Sequence, residues 1–249
     1  MGDRSLSSKA GPRLFVDTPL DAGKTLPLAS AAGHYLTRVM RLREGDGVRL
    51  FDDRTGEWQA VIAAIGKREV VVRAEALLKP REVVPDLWLC AAPLKAGRID
   101  WLAEKACELG VARLVPTVTR RTVVGNLKLD RLRAHMIEAA EQCERTALPE
   151  LGEPVPLAAL LADWPAERTL IFCDEEGGEP VAKVLPGAAA PAAILIGPEG
   201  GFDDGERAAI RALPQCARVS LGPRILRADT AAAAAVSIWQ ALAGDWQAD

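Results

Sequence analysis

The rhythm of apolar and polar positions changes near residue 80. Before it the apolar runs are short: Leu14-Phe15-Val16, Val48 to Phe51, Trp58 to Ile65 and Val70 to Ala74. β-Branched and aromatic residues recur in them, and Asp52-Asp53-Arg54-Thr55-Gly56 between two of them has the composition of a hairpin turn. A short helix is predicted over Ala29 to Arg41, and the closely spaced strands around it predict a small barrel. Lys79-Pro80-Arg81-Glu82-Val83-Val84-Pro85 is polar and proline-flanked, so the domain boundary is placed there. Residues 1–79 form one expected domain and residues 80–249 the other.

Beyond the boundary, strands and helices alternate. Leu87 to Ala92, Val111 to Val118, Thr169 to Cys173, Ala192 to Ile196 and Ala217 to Leu221 read as buried strands. Arg98 to Leu109 places Ile99, Leu102, Ala106 and Leu109 on one helical face, and Gly110 follows where a helix end favours a left-handed residue. Leu129 to Arg145 reads as a long helix. The last helix, Thr230 to Leu242, is rich in alanine, which suits close packing. This alternation predicts a mostly parallel sheet with helices on both faces.

The chain has 249 residues and is 49% hydrophobic, enough for a sizeable core. No apolar run reaches the ~20 residues of a membrane span. The segment Met1 to Pro12 lacks a signal-peptide core, and Leu6 stands where a myristoylation motif takes Ser or Thr. A cytoplasmic protein is expected. Five cysteines with no two close in sequence suggest neither a disulfide framework nor zinc. With two histidines, a histidine-rich metal site is excluded, and no metal is expected. Net charge is −3, but residues 1–80 hold 13 Lys+Arg against 10 Asp+Glu, so the front is basic and the rest acidic. That asymmetry hints at a polyanionic partner.

Two glycine-rich loops follow buried strands in the last third. The first is Ile196-Gly197-Pro198-Glu199-Gly200-Gly201-Phe202; the second is Leu221-Gly222-Pro223-Arg224-Ile225-Leu226-Arg227-Ala228-Asp229-Thr230. Ligands of open α/β sheets bind beyond the carboxyl ends of strands, so two such loops can close on one cofactor. Neither loop has the spacing of a dinucleotide fingerprint or a P-loop. Each also reads as an ordinary strand-to-helix turn, with Glu199, Asp229 or Thr230 as helix caps. Arg224 and Arg227 can present cations to phosphate. Further cations stand just past strands, at Lys95, Arg98, Arg120 and Arg121. On the front helix His34, Arg38 and Arg41 share one side, with Arg43 following, as a basic ridge for phosphates or simply a solvated face. Glu138, Glu141 and Arg145 are spaced for ion pairs along the Leu129 helix.

Taken together and in order, these segments resemble the RsmE family of 16S ribosomal RNA methyltransferases, of the SPOUT class. The resemblance also runs through Arg38 to Asp46, Lys95 to Trp101, Glu104 to Val111 and Glu141-Gln142-Cys143. It implies an α/β C-terminal SPOUT domain with a trefoil knot, a small PUA-like β-barrel in front, and a homodimer. It implies methyl transfer from S-adenosylmethionine to N3 of a uridine in 16S rRNA of the small ribosomal subunit. Arg227, Asp229 and Glu199 are then the catalytic candidates. Ile196, Gly197, Pro198, Glu199, Gly200, Gly201, Leu221, Gly222, Ile225 and Leu226 would hold the cofactor. Arg38, Arg41, Arg43, Lys95, Arg98, Arg120, Arg121 and Arg224 would meet RNA. Three positions depart from the family pattern: Asp229 stands for a usual Glu, Glu144 for a small residue, and Ala96 for a common Gly. The competing readings are a SPOUT enzyme of another RNA position, a silent RNA-binding assembly factor, and a nicotinamide oxidoreductase, which the missing fingerprint disfavours.

Overall fold

Residues 11–67, 69–95 and 97–247 are described by the structure, a computed structural model. The readings on the first ten residues and on Ala96 lie outside them. Two compact units divide the chain. One runs up to Val83 and takes in Ala140–Ala147; the other comprises Val84–Ala139 and Leu148 onward.

The first unit is a five-stranded sheet of β1 (Arg13–Phe15), β2 (Thr25–Pro27), β3 (Gly47–Phe51), β4 (Gly56–Ile65) and β5 (Val70–Pro80). Its order is β1-β3-β4-β5-β2, antiparallel except where β1 joins β3. All five strands send apolar side chains into one core with Leu20, Leu28 and Leu36. The turn between β3 and β4 is organised by Asp52, whose carboxylate accepts from the N–H groups of Leu20, Arg54 and Thr55 and from the Thr55 hydroxyl. Burial raises the Asp52 carboxyl pKa, but these bonds outweigh it and hold the group below the ordinary value. β2 had no signal in the sequence reading, because its three residues show too little alternation.

The predicted front helix is shorter and irregular. An α-helical turn α1 (Ser30–His34) passes into a π-helical turn over Tyr35–Val39. The Thr37 hydroxyl donates to the Gly33 carbonyl, competing with the regular ladder, and Met40 N–H reaches back five residues to Tyr35. Arg41 then takes a left-handed φ of 57°. Arg41 therefore lies beyond the helix and does not share a helical face with His34 and Arg38. Arg38, Arg41 and Arg43 are all exposed.

The second unit is a parallel sheet of β6 (Leu87–Ala91), β7 (Arg113–Val118), β8 (Glu150–Leu151), β10 (Thr169–Cys173), β11 (Glu179–Pro180), β12 (Ala192–Ile196) and β13 (Cys216–Ser220). A short β9 (Val155–Pro156) pairs with β7. The order is β11-β13-β10-β12-β6-β7-β8. β12, buried at every position, is central, as continuous apolar runs are when both faces are covered. The helices are α2 (Arg98–Glu108), α3 (Leu129–Cys143), α4 (Leu157–Ala162), α5 (Val181–Val184), α6 (Asp204–Ala212) and α7 (Ala228–Ala243). α4 and α6 cover one face through a core that includes Leu157, Phe172, Leu195, Phe202 and Ile210. α7 packs on β6, β12 and α2, with its buried small Ala232 and Ala235 allowing close approach. Fully buried Trp239 donates its indole N–H to the Ala188 carbonyl at 2.7 Å.

α3 ends two residues earlier than expected, because Glu144 adopts a left-handed φ of 61°. A left-handed φ favours a residue without a Cβ, so Glu144 is strained there. Arg145 therefore leaves the helix and pairs with Glu82 at 3.2 Å, while Glu141 accepts from Phe15 N–H. Ala140–Ala147, assigned by sequence to the later domain, packs with the first unit. There Arg13, nearly buried, donates to the carbonyls of Ala140 and Arg145 and to Glu57 at 2.5–2.6 Å.

Candidate functional site

The carboxyl ends of β10, β12 and β13 surround a cavity of about 360 Å³. Its walls are the two glycine loops and a third segment, Cys173-Asp174-Glu175. Of the expected cofactor residues, Ile196, Gly197, Pro198, Glu199, Gly201, Leu221, Gly222, Ile225 and Leu226 line it, together with Arg224 and Arg227. Gly200 lines the neighbouring recess instead. The first loop needs its glycines: a Cβ on Gly197 would sit 2.8 Å from the Phe202 ring, and Gly201 has a φ of 67°. The loop then enters α6 through a capping box, Asp203 accepting from Glu206 N–H and Glu206 accepting from Asp203 N–H.

Two of the catalytic candidates, Glu199 and Asp229, meet at one cation. Arg98, the first residue of α2, lies 3.7 Å from Glu199 Oε1 and 3.8 Å from Asp229 Oδ2. Asp229 is the second residue of α7, where the helix dipole favours a carboxylate. The helix starts at Ala228 with Arg227 at its cap position, and no side chain caps it. The sequence option of Asp229 or Thr230 as the cap is therefore not taken. Shorter by one methylene than a Glu, Asp229 still reaches Arg98. Two carboxylates on one guanidinium leave a local excess of negative charge. Arg224 and Arg227 have no carboxylate partner among the described residues.

Sequence reasoning missed the segment after β10. Asp174 is fully buried and receives three arginines: Arg207 at 2.6 Å, Arg211 at 2.7 Å and Arg218 at 3.1 Å. Burial pushes its carboxyl up, but the bonds from Arg211 and the Glu176 N–H, with the charges of Arg211 and Arg207, hold it below the ordinary range. Arg207 also bonds Glu175 and the Phe202 carbonyl, so it ties this wall of the cavity to the first glycine loop. The available signal was the pattern already used elsewhere: a buried strand followed by acidic residues and Gly177-Gly178.

The expected RNA-facing cations behave differently from one another. Arg120 is committed to the α6 capping box, pairing with Asp203 at 3.0 Å and donating its N–H to Glu206. Arg121 donates to the Gly200 carbonyl at 2.8 Å. Neither Lys95 nor Arg121 has a carboxylate partner among the described residues. Desolvation pushes the thiols of buried Cys90 and half-buried Cys173 up to about 12, which suits small apolar side chains rather than nucleophiles. Among the described residues no helix is long and apolar enough to cross a membrane.

Comparison with known proteins bears on this geometry. Residues 81–240 match the model of the RNA methyltransferase domain family, and residues 28–75 match that of the RNA methyltransferase PUA domain. Over 229 residues the chain is 30% identical to ribosomal RNA small subunit methyltransferase E of Rickettsia conorii, covering 90% of this chain and 93% of that one. The chain belongs to the RsmE family. The Synechocystis protein of the same name is 32% identical, over 88% of this chain and 73% of that protein. A methyltransferase from Legionella pneumophila, solved with its bound cofactor SAM, superimposes with a TM-score of 0.86 at 31% identity, covering 95% of this chain and 99% of that one. As an RsmE protein the chain has the SPOUT α/β fold behind a PUA domain, as the sequence resemblance implied.

Proposed function

We propose that this chain transfers a methyl group from S-adenosylmethionine to N3 of a uridine in 16S rRNA of the small subunit. The observation that carries this reading is the Glu199–Arg98–Asp229 cluster beside a cavity walled by both glycine loops. The cavity suits the cofactor. Its volume lies in the range of small-molecule sites, and Ile196, Leu221, Ile225 and Leu226 supply apolar contact. Glu175 and Glu199 offer carboxylates to cationic and hydroxyl groups. Gly222, with a φ of 109°, faces open space where a Cβ would meet nothing within 4 Å.

When bound, S-adenosylmethionine supplies an electrophilic methyl on a sulfonium, whose sulfur keeps the electron pair of the broken bond as a neutral thioether. The chain's own work is on the acceptor. Uracil N3 carries a proton at neutral pH, so its electron pair becomes available for the new N–C bond only as that proton leaves. Glu199 or Asp229 takes the proton. Arg227, whose charge no carboxylate among the described residues engages, stabilises the negative charge that develops on the uracil oxygens. The base must leave its stack to be reached. Arg38, Arg41 and Arg43 supply phosphate contacts from the first unit.

The protein acts as a cytoplasmic homodimer in this reading. Ile225, 91% exposed on the second glycine loop, is an apolar side chain that a second copy can cover. Sedimentation at micromolar concentration tests the dimer, and a monomer removes it. The reaction is tested by methyl transfer from labelled S-adenosylmethionine to small subunits lacking the modification, followed by nucleoside mass spectrometry. N3-Methyluridine is the expected product. Another methylated nucleoside rejects the atom assignment, and no transfer with cofactor binding intact favours a silent homologue.

A further inference from the structure

A second recess of about 380 Å³ adjoins the cofactor cavity and shares Glu199 with it. Its lining is Lys95, Arg98, Arg121, Val123, Glu199 and Gly200. These residues come from three loops at the carboxyl ends of β12, β6 and β7, which are neighbours in the sheet. Such crevices are where open α/β sheets bind ligands. Three of the six lining residues are cationic and one is anionic, so the recess is positive overall. Arg98 is engaged by Glu199 and Asp229. Lys95 and Arg121 have no carboxylate partner among the described residues, and Arg121 is braced by its bond to the Gly200 carbonyl. Gly200 and Arg121 are close neighbours: a Cβ on Gly200 would stand in ordinary contact with Arg121 Cβ, at 3.4 Å. Val123 is 71% exposed and adds an apolar surface.

We propose that this recess receives the target nucleotide itself. Lys95 and Arg121 hold its phosphate, Val123 supports the face of the extruded pyrimidine, and the shared Glu199 meets the edge that carries N3–H. The recess thus sets the acceptor beside the donor, with Glu199 lining both. The assignment rests on the methyl-transfer reading above and deepens it. A phosphate held between two unpaired cations, beside an apolar surface and a proton acceptor, is the chemistry of a nucleotide subsite rather than of a backbone groove.

Two variants and one label test it. Val123→Trp fills the recess from an exposed position. It is expected to lower kcat/KM for RNA by about a hundredfold, while the cofactor Kd by calorimetry stays within about twofold of wild type. The Lys95→Ala/Arg121→Ala double variant is expected to raise KM for RNA by about tenfold or more and to reduce its salt dependence. An rRNA fragment carrying 4-thiouridine at the methylated position should cross-link on irradiation to the peptide containing Arg121 and Val123. Wild-type turnover by Val123→Trp, or a cross-link confined to the first unit, overturns the subsite and leaves the methyl-transfer reading standing. Absence of methyl transfer by the wild-type protein to any RNA overturns the reading on which the subsite rests.

Discussion

Two arginine–carboxylate clusters at the same end of the sheet are built in opposite ways. Around Asp174, three guanidiniums crowd one fully buried carboxylate at 2.6–3.1 Å. Around Arg98, one guanidinium serves two carboxylates at 3.7 and 3.8 Å, all three partly exposed. The first cluster is saturated: the Asp174 oxygens are filled and lie out of water, although Arg211 and Arg218 reach the surface. The second is undersaturated, with carboxylate oxygens free to accept a proton and a cation free to shift between partners. A protein holds its walls with the first kind of cluster and does chemistry with the second.

The largest expected effect breaks the saturated cluster. Asp174→Ala leaves Arg207 buried among fewer acceptors and should lower the unfolding free energy by about 3–5 kcal/mol, measured by denaturant titration. Acid should act on the same bond. The folded carboxyl lies below its ordinary value, so its stabilisation is complete above about pH 4 and is lost as pH falls through the folded value. The acid limb of a stability–pH curve should therefore be flatter in Asp174→Asn than in wild type. Equal limbs would falsify the assignment of acid sensitivity to this group.

The undersaturated cluster should respond in rate and hardly in stability. Glu199→Gln and Asp229→Asn each remove a candidate proton acceptor, and the one that acts should cost about 10²–10⁴ in kcat. The other should cost far less, which identifies the base. Arg227→Ala should lower kcat by about 10²–10³ with cofactor binding intact. Loss of cofactor binding in calorimetry would instead make Arg227 a cofactor residue. All three melting temperatures should stay near wild type, and a large fall in any of them erases the contrast between the clusters.

Smaller effects lie on the first unit, where charges are exposed. Reversing Arg38, Arg41 and Arg43 should weaken RNA binding and flatten its dependence on salt by up to about three phosphate contacts. An unchanged salt slope removes the basic ridge from the interface. The smallest change is at Glu144, an exposed carboxylate paired with Arg49 at 2.9 Å and Lys79 at 3.3 Å. Its bonds to Arg49 and Lys79 hold its carboxyl below the ordinary value. Glu144→Gly relieves left-handed strain but loses these pairs, so stability should move by less than about 1 kcal/mol.

The strands of the sheet were legible because burial on both faces writes an uninterrupted apolar run. Thr169–Cys173 and Ala192–Ile196 are placed residue for residue. The glycine loops were legible because close approach and positive φ admit few other residues. Glu144 was legible as a departure, but its partners were not, since Arg49 and Lys79 lie far off in sequence. The front helix was legible over Ser30–Val39, but its π-helical second half and its end before Arg41 were not, because side-chain periodicity does not distinguish an α-turn from a π-turn.

By itself the sequence determined the alternation of elements, the two glycine loops and, through their joint order, the family. Those features are local: periodicity, turn chemistry and short motifs are set by neighbours along the chain. Only the tertiary structure decided that Arg98, expected to face RNA, stands between Glu199 and Asp229, that Arg120 is spent on a helix cap while Arg121 is not, and that Asp174 anchors a cavity wall. Each of these depends on which strand ends are adjacent in the sheet. A charge's role is set by the partners that folding brings within a few ångströms, and these come from segments separated by dozens of residues or more.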